Sequence, residues 1–164
     1  MSSELSNFFQ SLSIQEGELE PWVDNLSPTF PMQERPLCRR CGYKPKYRNT
    51  VLPHNPNGNA GRPYYVCIKC KNDRKRKVSK TDHEKGWISW DDDRGVRPSN
   101  HHCGCRIVCR QDRAGKDSSC PGRGFWTCAI GSCGYVSFRR DGLTDDEAKD
   151  TEAAPDAGFE PWLF

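Results

Sequence analysis

The chain has 164 residues, but Leu, Ile, Val and Phe fill only 27 of them while ten are cysteine, too thin an apolar inventory for an ordinary buried core. The formal charge of +3 is segregated: residues 1–36 hold six acids against one base, 37–140 hold 23 Lys and Arg against 8 Asp and Glu, and 141–164 hold eight acids against one Lys, so the middle is suited to meet an anion. No run approaches the roughly 18 apolar residues that span a bilayer, and the opening residues show no basic leader with an apolar stretch behind it, so a nuclear or cytoplasmic protein, neither secreted nor membrane-spanning, is expected.

Residues 1–36 are rich in Ser, Pro and Glu and are expected to form a disordered acidic tail. Leu5, Phe8, Phe9 and Leu12 fall on one face of a short helix, which is marginal in isolation.

A first module is expected over 37–94. It carries Cys38-x-x-Cys41 and Cys67-x-x-Cys70, two knuckles whose separation lets four thiolates converge on one zinc ion. In a reducing compartment close Cys pairs read as metal ligands before disulfides. His83 is the alternative to Cys70 as fourth ligand, but a CxxC knuckle presents both sulfurs without a distant loop. Between the knuckles, His54-Asn55-Pro56-Asn57-Gly58-Asn59 predicts a loop. Just beyond Cys70, Lys71, Arg74, Lys75, Arg76 and Lys77 form a basic run that suits phosphate contact, an import signal or a solvated loop.

A second module is expected over 95–140, because two blocks recur in the same order. Gly61-Arg62-Pro63-Tyr64-Tyr65-Val66-Cys67 is answered by Gly122-Arg123-Gly124-Phe125-Trp126-Thr127-Cys128, and Gly86-Trp87-Ile88-Ser89-Trp90 by Gly134-Tyr135-Val136-Ser137-Phe138. Aromatic and β-branched residues bounded by Gly predict strands in both, so each module is a small antiparallel β unit. The repeat selects Cys103, Cys105, Cys128 and Cys133 as the second ligand set and leaves Cys109 and Cys120 as inert thiols by default. His101 and His102 adjoin Cys103 as solvent-facing side chains. The fold class is therefore small β, zinc-stabilised, with two ions, two tandem zinc-ribbon-like modules and disordered acidic ends.

Residues 141–164 are the second acidic tail, with a brief helix around Thr144 to Ala153 capped by Thr144 and Glu147. Glu160-Pro161-Trp162 echoes Glu20-Pro21-Trp22. The triplets read either as chance in biased sequence or as docking peptides, and the second reading would make the protein a zinc-dependent adaptor for protein partners.

Asn59-Ala60-Gly61-Arg62-Pro63-Tyr64-Tyr65-Val66-Cys67 and Gly122-Arg123-Gly124-Phe125-Trp126-Thr127-Cys128 resemble the signature of GRF-type zinc fingers, Asn-x-Gly-Arg-x-Phe-Tyr-x-Cys. The paired arrangement resembles a fungal GRF-like zinc-ribbon group. Module one departs from the pattern in having Tyr64 for the Phe and no late Cys, and module two in lacking the Asn. The resemblance implies a crescent-like β module that binds single-stranded DNA without catalysis, with contacts from Arg62, Tyr64, Arg123 and Phe125. Independently of it, Arg and Lys following phosphates beside aromatics that stack on bases suit single strands, although Tyr65, Trp87, Trp90, Trp126 and Phe138 equally suit a core. Asp91, Asp92 and Asp93 read as a charged turn, and neither a nucleophile elbow nor a phosphate-cradling loop is present. A non-enzymatic role is expected.

Overall fold

The computed structural model describes residues 27–73 and 86–149. They contain two three-stranded antiparallel sheets, each built around one of the recurring blocks. In the first, β1 (Asn49–Thr50), β2 (Pro63–Val66) and β3 (Trp87–Trp90) lie in that order, with one turn of helix, α1 (Ile68–Lys71), after β2. In the second, β4 (Cys109–Arg113), β5 (Gly124–Cys128) and β6 (Val136–Ser137) lie in order. Among the described residues no helix is long and apolar enough to cross a membrane.

The two hairpins share their hydrogen bonds position for position. In the first, Val51 N–H donates to Arg62 O (2.9 Å), Gly61 N–H to Val51 O (3.0 Å) and Arg62 N–H to Asn59 O (3.0 Å). In the second, Ala114 N–H donates to Arg123 O (2.8 Å), Gly122 N–H to Ala114 O (2.9 Å) and Arg123 N–H to Cys120 O (3.1 Å). Gly61 and Gly122 both adopt φ +76°, the left-handed region where a side chain is strained. Cys120 thus occupies the place of Asn59 in the turn. The correspondence also reaches ahead of each first knuckle: Arg35 Nη1 donates to Lys46 O (2.6 Å) and Asn100 Nδ2 to Cys109 O (2.7 Å), each from three residues before the leading Cys.

Inward and outward positions alternate along β5, where Gly124, Trp126 and Cys128 are buried and Phe125 and Thr127 half-buried, as a strand packed on one face should. Two apolar clusters result. One joins Cys38, Tyr65, Cys67, Cys70 and Ile88 with Met32 and Tyr43 beside them. The other joins Cys103, Cys109, Trp126 and Cys128, flanked by Cys105, Ile107, Ile130, Cys133 and Tyr135. Sulfur makes up much of both clusters, as the scarcity of aliphatics requires.

β4, with sequence Cys-Arg-Gln-Asp-Arg, has no apolar alternation, yet its first four residues are buried. It is covered because module one packs against it. Asp92 accepts from Arg62 Nε (2.8 Å) and Nη2 (3.0 Å) and from Arg110 Nη1 (2.9 Å). Trp90 Nε1 donates to Asp112 Oδ2 (2.7 Å), and at the junction of the two modules Gln111 N–H donates to Gly95 O (2.9 Å). At the loop ends, Lys116 N–H donates to Asn57 Oδ1 (3.0 Å). Of the three aspartates expected to form a charged turn, Asp92 is therefore part of an inter-module joint, Asp93 is exposed, and Asp91, 1% exposed, ties module one to the segment before it by accepting from Arg48 Nε (2.5 Å) and Met32 N–H (2.6 Å). Burial is tolerated because each carboxylate meets guanidinium or amide donors.

The packed chain also extends past the expected tail boundaries. Phe30 lies 5.1 Å from the Arg110 guanidinium, and Met32 packs on the first cluster, so 27–36 belong to the folded part. Beyond 140, Ser137 Oγ donates to Leu143 O (2.6 Å) and Tyr135 OH to Gly142 O. The Thr144–Glu147 capping box forms, with Thr144 N–H donating to Glu147 Oε2 (2.8 Å) and Glu147 N–H to Thr144 Oγ1 (3.4 Å). It closes a turn rather than a helix within the described residues. Leu5, Phe8, Phe9, Leu12 and both Glu-Pro-Trp triplets lie outside them.

Candidate metal centres and the Gly-Arg faces

Each centre is assembled from two short turns. Cys38 and Cys41 flank a turn closed by Gly42 N–H donating to Cys38 O (2.7 Å), and Cys38 N–H reaches Tyr43 O (2.9 Å). Cys67 and Cys70 are presented by α1, whose Lys71 N–H donates to Cys67 O (3.0 Å). In module two the first turn is one residue tighter. Cys103 N–H donates to Ile107 O (3.1 Å), Arg106 N–H donates to Cys103 O (2.9 Å), and Arg106 takes a positive φ of 59°. The last two ligands there sit at the ends of a short loop in which Gly131 N–H donates to Cys128 O (3.2 Å).

The ligand atoms of Cys38, Cys41, Cys67 and Cys70 all lie within 4.8 Å of one another, as do those of Cys103, Cys105, Cys128 and Cys133. Cys38 Sγ is 3.7 Å from Cys70 Sγ, and Cys41 Sγ is 3.5 Å from Cys67 Sγ. Zinc–sulfur bonds of about 2.3 Å arranged tetrahedrally give sulfur–sulfur edges of about 3.8 Å, so the first set fits a zinc ion with little adjustment. A disulfide requires about 2.05 Å, and all ten cysteines are free thiols. Cys70 supplies the corner that Cys133 supplies in module two; its alternative, His83, lies outside the described residues.

The thiols are unevenly poised. Burial pushes Cys70, Cys103 and Cys133 up to about 12. Burial also opposes ionisation of Cys38 and Cys128, but amide donors from Arg40 and Cys41 and neighbouring thiols bring Cys38 down to about 7. Cys128 reaches about 7 through the Ser132 hydroxyl and the amides of Cys133, Ile130 and Ser132. One thiol at each centre is thus ready to ionise near neutrality. A bound divalent cation supplies the positive charge that lets the remaining sulfurs ionise.

Cys109 stands outside both sets. It is fully buried at the start of β4, and burial, followed by the charge of Cys128, pushes it up to about 12, as befits a packing thiol. His101 does not ligate: its Nε2 lies 2.8 Å from Arg140 O and its ring meets Trp126 edge-on at 5.0 Å. His102 is exposed.

The two Gly-Arg motifs end in different surroundings. Arg62 is 7% exposed, held by Asp92 and by Asn59 Oδ1 (2.9 Å) and stacked over Trp90 at 3.8 Å. The phosphate contact expected of it gives way to a structural task, because its donors are taken up inside the inter-module joint. Tyr64 is half-buried and stacks on Trp87 at 5.6 Å. Arg123, in contrast, is exposed and lies 5.0 Å from the Phe138 ring, with Phe125 5.5 Å from the same ring. Lys71 is exposed at the end of α1; Arg74, Lys75, Arg76 and Lys77 lie outside the described residues. From sequence Asp92 was read only as part of a charged turn, and no structural role was assigned to Arg110 or Asp112, whose one local cue is a polar run next to a Cys.

No curated protein and no solved structure matches the chain. Residues 35–94 match the family model described as a GRF-like zinc ribbon domain, and with four thiols gathered to suit zinc and a Gly-Arg hairpin between the knuckles, this stretch of the chain is similar to a zinc finger of the GRF type.

Proposed function

We propose that the protein is a non-catalytic, zinc-stabilised nucleic-acid-binding module that prefers single-stranded DNA, and that module two carries the contact face. The observation behind this is the exposed Arg123 beside Phe138 and Phe125. Asp92 stands two residues after Trp90 in module one; two residues after Phe138 stands Arg140, also exposed. Where module one places an acid for its joint, module two places a second exposed cation two residues beyond Phe138. Such a surface follows phosphates with its guanidinium groups and stacks bases on its rings, each stack contributing roughly 1–3 kcal/mol. The strong excess of Lys and Arg over 37–140 supports the same reading. Four thiolates close a zinc coordination sphere and leave no position for a catalytic water.

Titration of labelled single-stranded and duplex oligonucleotides against the zinc-loaded chain at several salt concentrations tests this. Single strands are expected to bind more tightly, with affinity falling as salt rises. Arg123→Ala combined with Phe125→Ala should weaken single-strand binding about tenfold or more and lower the salt slope by about one, with no change in zinc content. Absence of binding at low salt, or binding indifferent to the double substitution, sinks the proposal.

A further inference from the structure

We infer that module one positions the ligand loop of the second metal centre, so that metal retention at Cys103, Cys105, Cys128 and Cys133 depends on an intact first module. The loop concerned joins Cys128 to Cys133. Its first residue, Ala129, is fully buried, and the Ala129 carbonyl lies 2.8 Å from Ser89 Oγ on β3 of module one and 3.3 Å from Arg110 Nη2. The Ser89 hydroxyl has a single hydrogen, shared between this carbonyl and Trp90 O, also at 2.8 Å. Arg110 is itself fixed from module one, donating through Nη1 to Asp92 Oδ1 (2.9 Å) and through Nη2 to Asp92 O (2.6 Å).

Gly131 completes the seat. With φ +69° it lies so close to β3 that a Cβ would come within 2.2 Å of Ile88 O. The next residue, Ser132, places its hydroxyl 3.0 Å from Cys105 Sγ and 3.5 Å from Cys128 Sγ. A shift of this loop therefore moves the sulfurs of Cys128 and Cys133 and displaces the hydroxyl that contacts Cys105 and Cys128. Ligand groups are held in productive geometry by such outer contacts, and losing one typically weakens a metal site.

The first centre is arranged differently. The side chains clustered around it, Tyr65, Ile88, Met32 and Tyr43, all come from module one and the segment leading into it. Where its knuckle faces the second loop there is an open cleft lined by Leu37, Cys38, Arg39, Ile130 and Ser132. The contact between β3 and the Cys128–Cys133 loop therefore touches ligands of the second centre directly, and the first centre only through Ile88.

Cadmium-113 NMR of the full chain gives one signal per tetrathiolate centre, and chelator competition followed by the same signals gives a release rate for each. Ser89→Ala is expected to accelerate release from the second centre roughly fivefold to tenfold, the value of one buried hydrogen bond, with the first centre unchanged and Ser89→Thr close to the parent. Cys38→Ser with Cys41→Ser should remove metal from the first centre and speed its release from the second. If Ser89→Ala speeds both centres equally, or neither, the positioning role is wrong. A chain lacking the first centre that retains metal normally at the second overturns the inference even if the Ser89 variants fail to fold.

Discussion

At the scale of single residues, the carboxylate of Asp92 decides how the two halves meet. Two buried arginines, Arg62 and Arg110, converge on it. Burial would raise its pKa, but the hydrogen bond from Arg62 and the charges of Arg62 and Arg110 hold it below the ordinary carboxylate range. A depressed folded value means that its contribution is complete above the unfolded value, near about 3.9, and is lost only as pH falls through the lower folded value. Asp92→Asn leaves two guanidinium groups without their shared counter-charge and should cost about 3 kcal/mol in chemical denaturation of the zinc-loaded chain. The deficit should stay constant from pH 8 to pH 5, since Asp92 is ionised in both states throughout; a deficit that shrinks across this range would mean that another group is involved. Arg62→Ala belongs to the same class and is expected to lower stability, whereas Arg123→Ala is expected to leave it nearly unchanged.

At the scale of elements, Gly122 in the second hairpin turn and Gly131 in the Cys128–Cys133 loop separate backbone cost from packing cost. Gly122 has φ +76° and nothing within 4 Å of a built Cβ, whereas Gly131 has φ +69° and backbone atoms of Ile88 in the way. Gly122→Ala should therefore cost about 1–2 kcal/mol, the penalty of a left-handed conformation alone. Gly131→Ala should cost clearly more, because it also drives β3 away from the Cys128–Cys133 loop. Urea midpoints of the two variants check this ordering, and equal losses would contradict the contact across the modules. The strands themselves were readable where aromatic and β-branched residues cluster, as in β2, β3 and β5. β4 was not, because Arg110, Gln111 and Asp112 are buried by partners far along the chain, and local hydropathy carries no trace of such partners.

At the scale of the whole molecule, sulfur replaces aliphatic side chains as the material of both cores, so cohesion depends on the metal. Removal of zinc by a chelator under reducing conditions should abolish the fixed tertiary structure of both modules, seen as loss of amide dispersion in NMR and of a cooperative thermal transition. A chain that stays compact and cooperative without metal would refute this. Because thiols must lose protons to bind zinc, affinity should rise with pH, and lowering the pH should release zinc from both centres. The joint of Asp92, Arg110, Trp90 and Asp112 links the two sheets, so unfolding is expected as one transition rather than two.

The spacing of the cysteines and the recurrence of the Gly-Arg block determined by themselves which eight sulfurs could meet and that each half would be a small β unit. Both are local properties, written in residue type and separation. Which arginine faces solvent was decided only by tertiary structure: Arg62 and Arg123 head near-identical hairpins, but the field around each comes from what lies two residues after the matching aromatics Trp90 and Phe138, Asp92 in one case and Arg140 in the other, and from where the neighbouring module packs. Burial of Asp91 and of β4 was decided in the same way, because ion pairing between distant segments depends on the folded arrangement and not on sequence proximity.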